Sequence, residues 1–434
     1  MKAINLLGNK KVEVIEVPDP EPGLGQVRVK MLASGLCGSD VHQARGELQR
    51  WRPEPLMIPG HEPCGEVEKL GEGVTHLRLG DRVTINHYMG CGHCPHCYSG
   101  EMWWCSDEER KRPIGGNSRG AHADFVVADA VNCLPLPDEF SFAEGALIAC
   151  ATGTSYSALQ KLHPSGQETL VIIGLGPIGL AGVGLAHAMG SRIVAVGRRE
   201  DRLRLASHLG ADVVIDVDAE DAVEGVLRHL PEGADLLFET AGTKEAHRWI
   251  PKMLAKGGRA SLVGFGNHEP SMNLSEIIWS QQTLMGSFVM PMKLYAPLVQ
   301  LMTQNDLRLD GMVTHRFSIT KVSKRLTWRF PRNAEKSSLN GIERREYSGG
   351  EHFLFNWKSS YLAEKIKMNN SIRAFLLCCA AFFLTNAARA YAATPENLPR
   401  SDLINAPWTP RGFDDLNRRA QPENALTSFF STAQ

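Results

Sequence analysis

The chain offers little to a membrane, an export pathway or a polyanion. A bilayer-spanning helix needs about 20 consecutive apolar residues, and the unbroken apolar run from Ala374 to Leu384 has 11. Residues 1–30 contain no apolar core of signal-peptide length, so a cytoplasmic protein without a membrane partner is expected. Net charge is scarce too, at −1 over 434 residues. That balance conceals 30 basic and 38 acidic side chains in residues 1–320 against 17 and 10 in residues 321–434, and a mildly acidic body argues against nucleic acid as a partner. Nor does the chain carry a disulfide framework. Six of its ten cysteines precede residue 106, a clustering that suits metal ligation better than bridges distributed through a secreted fold. What is left is the composition of a soluble globular enzyme, 43% hydrophobic and 22% charged, long enough for two separate cores.

The clustered cysteines narrow the chemistry most. Cys91, Cys94, Cys97 and Cys105 form a C-x2-C-x2-C-x7-C run. Thiolates this close can share one tetrahedral zinc at about 2.3 Å, and the intervening Gly92, His93, Pro95 and His96 favour turning backbone over helix or strand. Disulfide-linked loops and an iron–sulfur cluster are the alternatives; a cytosolic enzyme, which keeps its thiols reduced, favours zinc. A closed four-thiolate site leaves no position for substrate, so it predicts a structural zinc and places any reaction elsewhere.

Along residues 1–149, short runs such as Gln26 to Lys30, Gly65 to Lys69 and Asp81 to Ile85 alternate like half-buried strands, which predicts a compact β-rich domain. From 150 to 287 the texture changes. Apolar runs at Leu170 to Ile173 and Ile193 to Val196 alternate with helical stretches at Leu180 to Met189 and Asp201 to Leu209, which predicts βαβ units on a doubly wound parallel sheet and an α/β fold. Residues 288–320 read as a return to the first domain.

The first of these apolar strands runs into Gly174-Leu175-Gly176-Pro177-Ile178-Gly179. Gly174 permits a tight turn, Gly176 lets backbone approach a pyrophosphate, and Gly179 lets helix pack on strand, with the helix N-terminus facing the anion. Flanked correctly by strand and helix, the loop predicts a dinucleotide site rather than a plain Gly-rich turn. The residue after the second strand selects the dinucleotide. An acidic residue there would accept hydrogen bonds from a ribose, but the chain has Gly197 followed by Arg198 and Arg199. Two guanidiniums in place of a carboxylate favour a 2′-phosphate, and so NADP over NAD. The alternative is that Arg198, Arg199 and Arg202 are the solvated face of a charged helix, with Glu200 and Arg204 paired at i,i+4.

Cys37, His61 and Cys150 are not joined by spacing; singly, each cysteine reads as a buried small hydrophobe and the histidine as a hydrogen-bonded core residue. The order of the motifs joins them. Gly35 to Asp40, Gly60-His61-Glu62, the cysteine quartet, Cys150 and the Gly174 to Gly179 loop follow one another as they do in the zinc-dependent medium-chain alcohol dehydrogenases, and residues 1–320 resemble that family. The resemblance implies a GroES-like β-rich catalytic domain over 1–149 with a structural zinc lobe at about 88–110, and a Rossmann domain over 150–287. It also implies a catalytic zinc on Cys37, His61 and Cys150, with Glu62 close to the metal and a fourth position open, hence two zinc ions per chain. Ser39 would take the alcohol proton and pass it through the cofactor ribose towards His42. Asp40 would orient the site, Thr154 would lie near the nicotinamide, and His87, followed by Tyr88, would line a polar substrate pocket. The implied function is hydride transfer between a small-molecule alcohol or polyol and NAD(P), NADP preferred, by a homodimer or homotetramer. A non-catalytic dinucleotide-binding protein of the same fold is the alternative.

The last quarter departs from this pattern. Residues 321–434 lose both periodicities, and the helix and final strand that complete the family's catalytic domain are not recognisable after Thr320. Within this tail, residues 368–392 reproduce the three-part plan of a secretory signal peptide: Met368 to Arg373, the apolar run, then Ala390-Tyr391-Ala392. A buried helix of a third domain is one reading. A shifted or fused reading frame, leaving an irregular C-terminal extension that lowers stability, is the one expected.

Overall fold

The computed structural model describes residues 1–320 apart from 9–10, 45–55, 117–118, 267–268 and 270–271. The expectations for 321–434, including the signal-like segment 368–392, therefore lie outside the described residues.

Two sheets organise the rest. The first is antiparallel, with strands in the order Phe125–Asp129, Gln26–Gly35, Glu62–Leu70, Arg82–Ile85 and Cys133–Pro135. Its buried face gathers Val27, Val29, Met31, Val67, Val83, Ile85 and Val126 into one core, which is why the sequence alternates there. This is the curled β-rich layer of a GroES-like domain. Gln26–Gly35 runs five residues past the alternating stretch because it continues to pair with Glu62–Leu70 as far as Gly35 opposite Glu62. That extension carries the chain into the site described below.

The second sheet is parallel, ordered Val213–Asp216, Arg192–Gly197, Thr169–Ile173, Ala234–Glu239, Leu254–Leu262 and Thr283–Gly286. In chain order this is 3-2-1-4-5-6, the Rossmann arrangement, whose direction reverses between Thr169–Ile173 and Ala234–Glu239. The unbroken apolar run 170–173 follows from burial on both faces. Leu170 and Ile172 join Leu180, Val183 and Phe238 on one side, whereas Val171 and Ile173 join Val226, Leu237 and Ile250 on the other.

A helical run links the two sheets. Ser141 caps the helix Phe142–Leu147 in a capping box with Glu144. The path then widens into a π-helical turn, Ile148–Thr152, and continues as the helix Gly153–Leu162. It ends at His163, in the left-handed conformation with φ 48°. The sequence's change of texture near residue 150 thus falls inside a helix rather than at a break. Beyond the parallel sheet the chain returns to the first layer. Asn86 Nδ2 donates to the Met290 carbonyl at 3.0 Å, Tyr295 Oη to the Pro135 carbonyl at 2.5 Å and the Leu309 amide to Glu144 Oε1 at 3.0 Å. Ile319 packs on Ile4 of the hairpin Lys2–Gly8 and Lys11–Glu16. Among the described residues no helix is long and apolar enough to cross a membrane.

Candidate metal and nucleotide sites

The cysteine quartet closes on itself. The Sγ atoms of Cys91, Cys94, Cys97 and Cys105 all lie within 4.8 Å of one another, with Cys91 to Cys97 and Cys94 to Cys105 at 3.9 Å. Four sulfurs at about 2.3 Å from a tetrahedral zinc would stand about 3.8 Å apart, so the donor set fits that ion. None of the eight cysteines among the described residues is in a disulfide. The lobe is built for sulfur: a β carbon on Gly90 would come within 2.6 Å of the Cys97 Sγ. The Ser106 and Cys97 amides pull the Cys94 thiol down to about 5, whereas burial pushes Cys97 up to about 12. One side of the lobe rests on Met292, whose amide donates to the Gly100 carbonyl at 3.2 Å.

A second convergence brings together Cys37, His61, Glu62 and Cys150, again with ligand atoms within 4.8 Å of one another. They arrive from three separate places in the chain. Cys37 lies between the end of Gln26–Gly35 and the short helix Gly38–Ala44, His61 and Glu62 sit at the start of Glu62–Leu70, and Cys150 is in the π-helical turn. Such turns recur at functional sites. Two glycines make room. A β carbon on Gly35 would overlap Glu62 Oε2 at 1.9 Å, so only glycine admits that carboxylate. Gly60, at φ 98°, would meet the His122 ring at 2.5 Å.

The electrostatics are those of a cation site. The Cys150 thiol donates to the Cys37 sulfur and thereby holds Cys37 well below the ordinary thiol range; the same bond, with burial, pushes Cys150 up. Burial raises the Glu62 carboxyl well above the usual range, and the Cys37 thiolate adds to it. Burial opposes a charge on His61, but Asp40 and Cys37 outweigh it and raise its pKa. Asp40 Oδ2 accepts the Cys37 amide at 2.8 Å while its Oδ1 stands 3.4 Å from His61 Nδ1, so one carboxylate orients two members of the group. Two thiols, an imidazole and a carboxyl in this disposition fit a zinc ion.

Ser39 and His42 share one face of Gly38–Ala44 at i,i+3, both half-buried, and Ser39 Oγ is 3.2 Å from His61 Nε2. His87 is buried, its ring centroid 5.3 Å from that of His61. Its Nδ1–H donates to the Ala149 carbonyl at 3.2 Å, and burial followed by the charge on His61 draws its pKa down to about 3, so it is a neutral ring. Thr154 is buried in the helix that follows the π turn. One residue on, Ser155 Oγ donates to the Ile178 carbonyl at 2.6 Å and ties this helix to the glycine loop. His122 belongs to none of the sequence motifs. It is buried, its Nδ1 lies 2.7 Å from Ser34 Oγ, and burial lowers its pKa to about 4. Nothing in Gly120-Ala121-His122-Ala123 marks it; its position behind Gly60 exists only in three dimensions.

At the head of the parallel sheet the three glycines have separate physical reasons. Gly174 turns with φ 95°, and a β carbon there would meet Ala241 N and Thr240 Oγ1 at 2.8 Å. One on Gly176 would meet nothing within 4 Å, which leaves a space for an approaching ligand, and one on Gly179 would strike the Gly174 carbonyl at 1.8 Å. The helix Pro177–Ala188 starts here, with Pro177 in its first turn. Glu239, fully buried at the end of its strand, accepts the Ala241 and Gly242 amides, both at 2.7 Å, and shapes the opposite wall. Gly197 is the last residue of its strand; Arg198 and Arg199 follow, before the helix Glu200–His208.

Comparison with known proteins agrees with this architecture. The profile of the alcohol dehydrogenase GroES-like domain matches residues 23–138, and that of the zinc-binding dehydrogenase domain matches residues 177–304. An alcohol dehydrogenase of Geobacillus stearothermophilus is 36% identical over 283 residues, covering 64% of this chain and 82% of that protein. A sorbitol dehydrogenase of Halalkalibacterium halodurans is 32% identical over 326 residues, covering 73% and 92%. The chain belongs to the zinc-dependent medium-chain alcohol dehydrogenase family. A zinc-binding dehydrogenase from Sinorhizobium meliloti 1021, solved with NADP bound, superposes with a TM-score of 0.69 at 25% identity, covering 82% of this chain and 99% of that one. The protein is accordingly an alcohol oxidoreductase that uses zinc and a nicotinamide cofactor on small-molecule alcohols or carbonyls.

Proposed function

We propose that the enzyme holds two zinc ions per chain and oxidises polar alcohols, polyols among them, with NADP preferred. The observation that carries the reading is the meeting of Cys37, His61, Glu62 and Cys150 within 4.8 Å, beside a quartet of matching compactness. Cys37, His61 and Cys150 are the proposed catalytic ligands, with Glu62 in reserve beside them, and the four quartet cysteines hold the structural ion. When bound, zinc supplies a Lewis acid for the substrate oxygen and the nicotinamide accepts the hydride.

The chain's own residues do the rest. Ser39, within hydrogen-bond distance of His61, is placed to take the alcohol proton, and His42, one turn along the same helix face, to pass it to solvent. Gly176 and the N-terminus of Pro177–Ala188 receive the pyrophosphate, Ile178 is anchored there by Ser155, and Thr154 lies on the helix between that loop and the metal ligands. Arg198 and Arg199 stand where a ribose 2′-phosphate would be read. A homodimer or homotetramer is supported by the helix Leu274–Trp279, which exposes Leu274, Ile278 and Trp279 at 66%, 72% and 86% beside the edge strand Thr283–Gly286.

Steady-state assays of the full chain with a panel of alcohols and carbonyls are expected to give a kcat/KM for NADP at least about tenfold above that for NAD, the scale of one or two charge-assisted contacts. A tenfold preference for NAD would overturn the cofactor reading. His87 predicts the substrate's character. With its proton fixed on Nδ1 by Ala149, Nε2 is left as an acceptor on a ring whose centroid is 5.3 Å from that of His61, and His87→Phe is expected to lower kcat/KM for a polyol about fivefold relative to an alkanol, the worth of one hydrogen bond. An unchanged polyol-to-alkanol ratio would remove His87 from substrate recognition.

A further inference from the structure

The two arginines after Gly197 are not equivalent. Arg198 is 64% exposed, and its nearest acidic neighbour, Asp218 Oδ1, stands 3.8 Å from Nη1. Arg199 takes up a left-handed backbone with φ 77°, which side chains with a β carbon rarely adopt. Its guanidinium is closed as a fork on Asp201, Nε donating to Oδ1 at 3.2 Å and Nη2 to Oδ2 at 2.8 Å. Both carboxylate oxygens are used, which is the geometry an arginine would offer to a phosphate. The fork and a phosphate therefore compete for the same donors.

The fork is not what starts the helix that follows, although Asp201 also favours the charge on the half-buried Arg202, which Arg199 opposes. Arg199 precedes the helix Glu200–His208, and the Arg202 and Leu203 amides are taken by the Arg199 carbonyl, not by the Asp201 side chain. Glu200, also in the first turn, pairs with Arg204 at 3.8 Å and supplies the negative charge that a helix N-terminus favours. Among the described residues the Asp201 carboxylate makes no hydrogen bond except to Arg199. On the strand side, a β carbon on Gly197 would strike the Leu175 side chain at 2.6 Å, so the glycine loop packs directly on the residue that precedes the two arginines.

We propose that Asp201 is a specificity-determining residue that holds Arg199 closed and so limits the NADP preference that Arg198 supplies. The proposal rests on the reading that a ribose 2′-phosphate binds beside these arginines. A phosphate reaching Arg199 must either displace the carboxylate or accept its repulsion at short range. Both work against the dianion and neither acts on the ribose hydroxyl of NAD, so Asp201 narrows the gap between the two cofactors.

The test compares kcat/KM for NADP and NAD on single preparations of the wild type, Asp201→Asn and the double variant Asp201→Asn/Arg199→Ala. Because the ratio is taken within one sample, any loss of folded protein cancels. Asp201→Asn is expected to raise the NADP-to-NAD ratio about fivefold, the scale of one partly exposed ion pair, chiefly through a lower KM for NADP. Adenosine 2′-monophosphate should inhibit that variant about fivefold more tightly. The double variant is expected to lose the gain. An unchanged or lower ratio in Asp201→Asn, or a gain that survives Arg199→Ala, would overturn the proposal. Arg198→Ala separates this from its premise: if that change leaves the wild-type ratio unmoved, the phosphate is not read at this end of the sheet; if the ratio falls while Asp201→Asn is inert, only the latch fails.

Discussion

Cys37→Ala is expected to lower kcat/KM by about three orders of magnitude and to take the zinc content from two per chain to one. Three orders of magnitude correspond to about 4 kcal/mol of lost transition-state stabilisation, the scale of a Lewis acid's contribution. The size follows from the way the cluster is assembled. Cys37 is the thiol that its neighbours hold well below the ordinary range, and Asp40 fixes its backbone through the amide at 2.8 Å. Its removal leaves the buried Cys150 thiol without the sulfur it donates to, and leaves Glu62 as the remaining acidic donor with its proton favoured by burial. That residual set binds a dication poorly, because metal binding requires deprotonated ligands. Nucleotide affinity should change little, since the glycine loop is carried by the other sheet. Zinc analysis, turnover and reduced-cofactor titration on one preparation would check this. Two zincs with more than a tenth of wild-type turnover would remove Cys37 from the metal site.

That cluster marks where sequence reading stops being local. The strand Thr169–Ile173, its glycine loop and the quartet are legible because each is a short run whose residue types already state their partners: apolar on both faces, glycine at a forced turn, sulfur near sulfur. Cys37, His61 and Cys150 lie on three separate elements, and only the order of motifs shared with a family joined them in advance. The physical reasons for their geometry are pairwise and tertiary. Gly35 is glycine because Glu62 needs the volume, Gly60 because His122 does, and Cys150 is aimed by a π-helical turn that no periodicity announces. The arginines after Gly197 divide in the same way. Their charge could be read from the sequence, but not that Arg199 spends its donors on Asp201 while Arg198 does not.

Cys97→Ala is expected to do the reverse of Cys37→Ala, costing stability first and chemistry second. In the closed quartet, burial and the neighbouring sulfurs push the Cys97 thiol up to about 12, so without a cation the lobe is a group of crowded thiols. A zinc ion turns their proximity into attraction, and its binding free energy is folding free energy for the lobe. Removing one ligand should cost several kcal/mol and lower Tm on the order of 10 °C, with one zinc lost. The damage has a defined route inward. The lobe meets the chain at Met292; two residues earlier the Met290 carbonyl accepts Asn86 Nδ2, and a β carbon on Gly153, next to the π turn, would touch Met290. Loosening the lobe thus loosens the support behind Cys150 without removing a catalytic ligand, so turnover at low temperature should fall less than tenfold, about two orders of magnitude less than for Cys37→Ala. Calorimetry and assays on both variants would separate the two roles. If Cys97→Ala keeps the wild-type Tm, or abolishes turnover while still folded, the quartet is not a structural site.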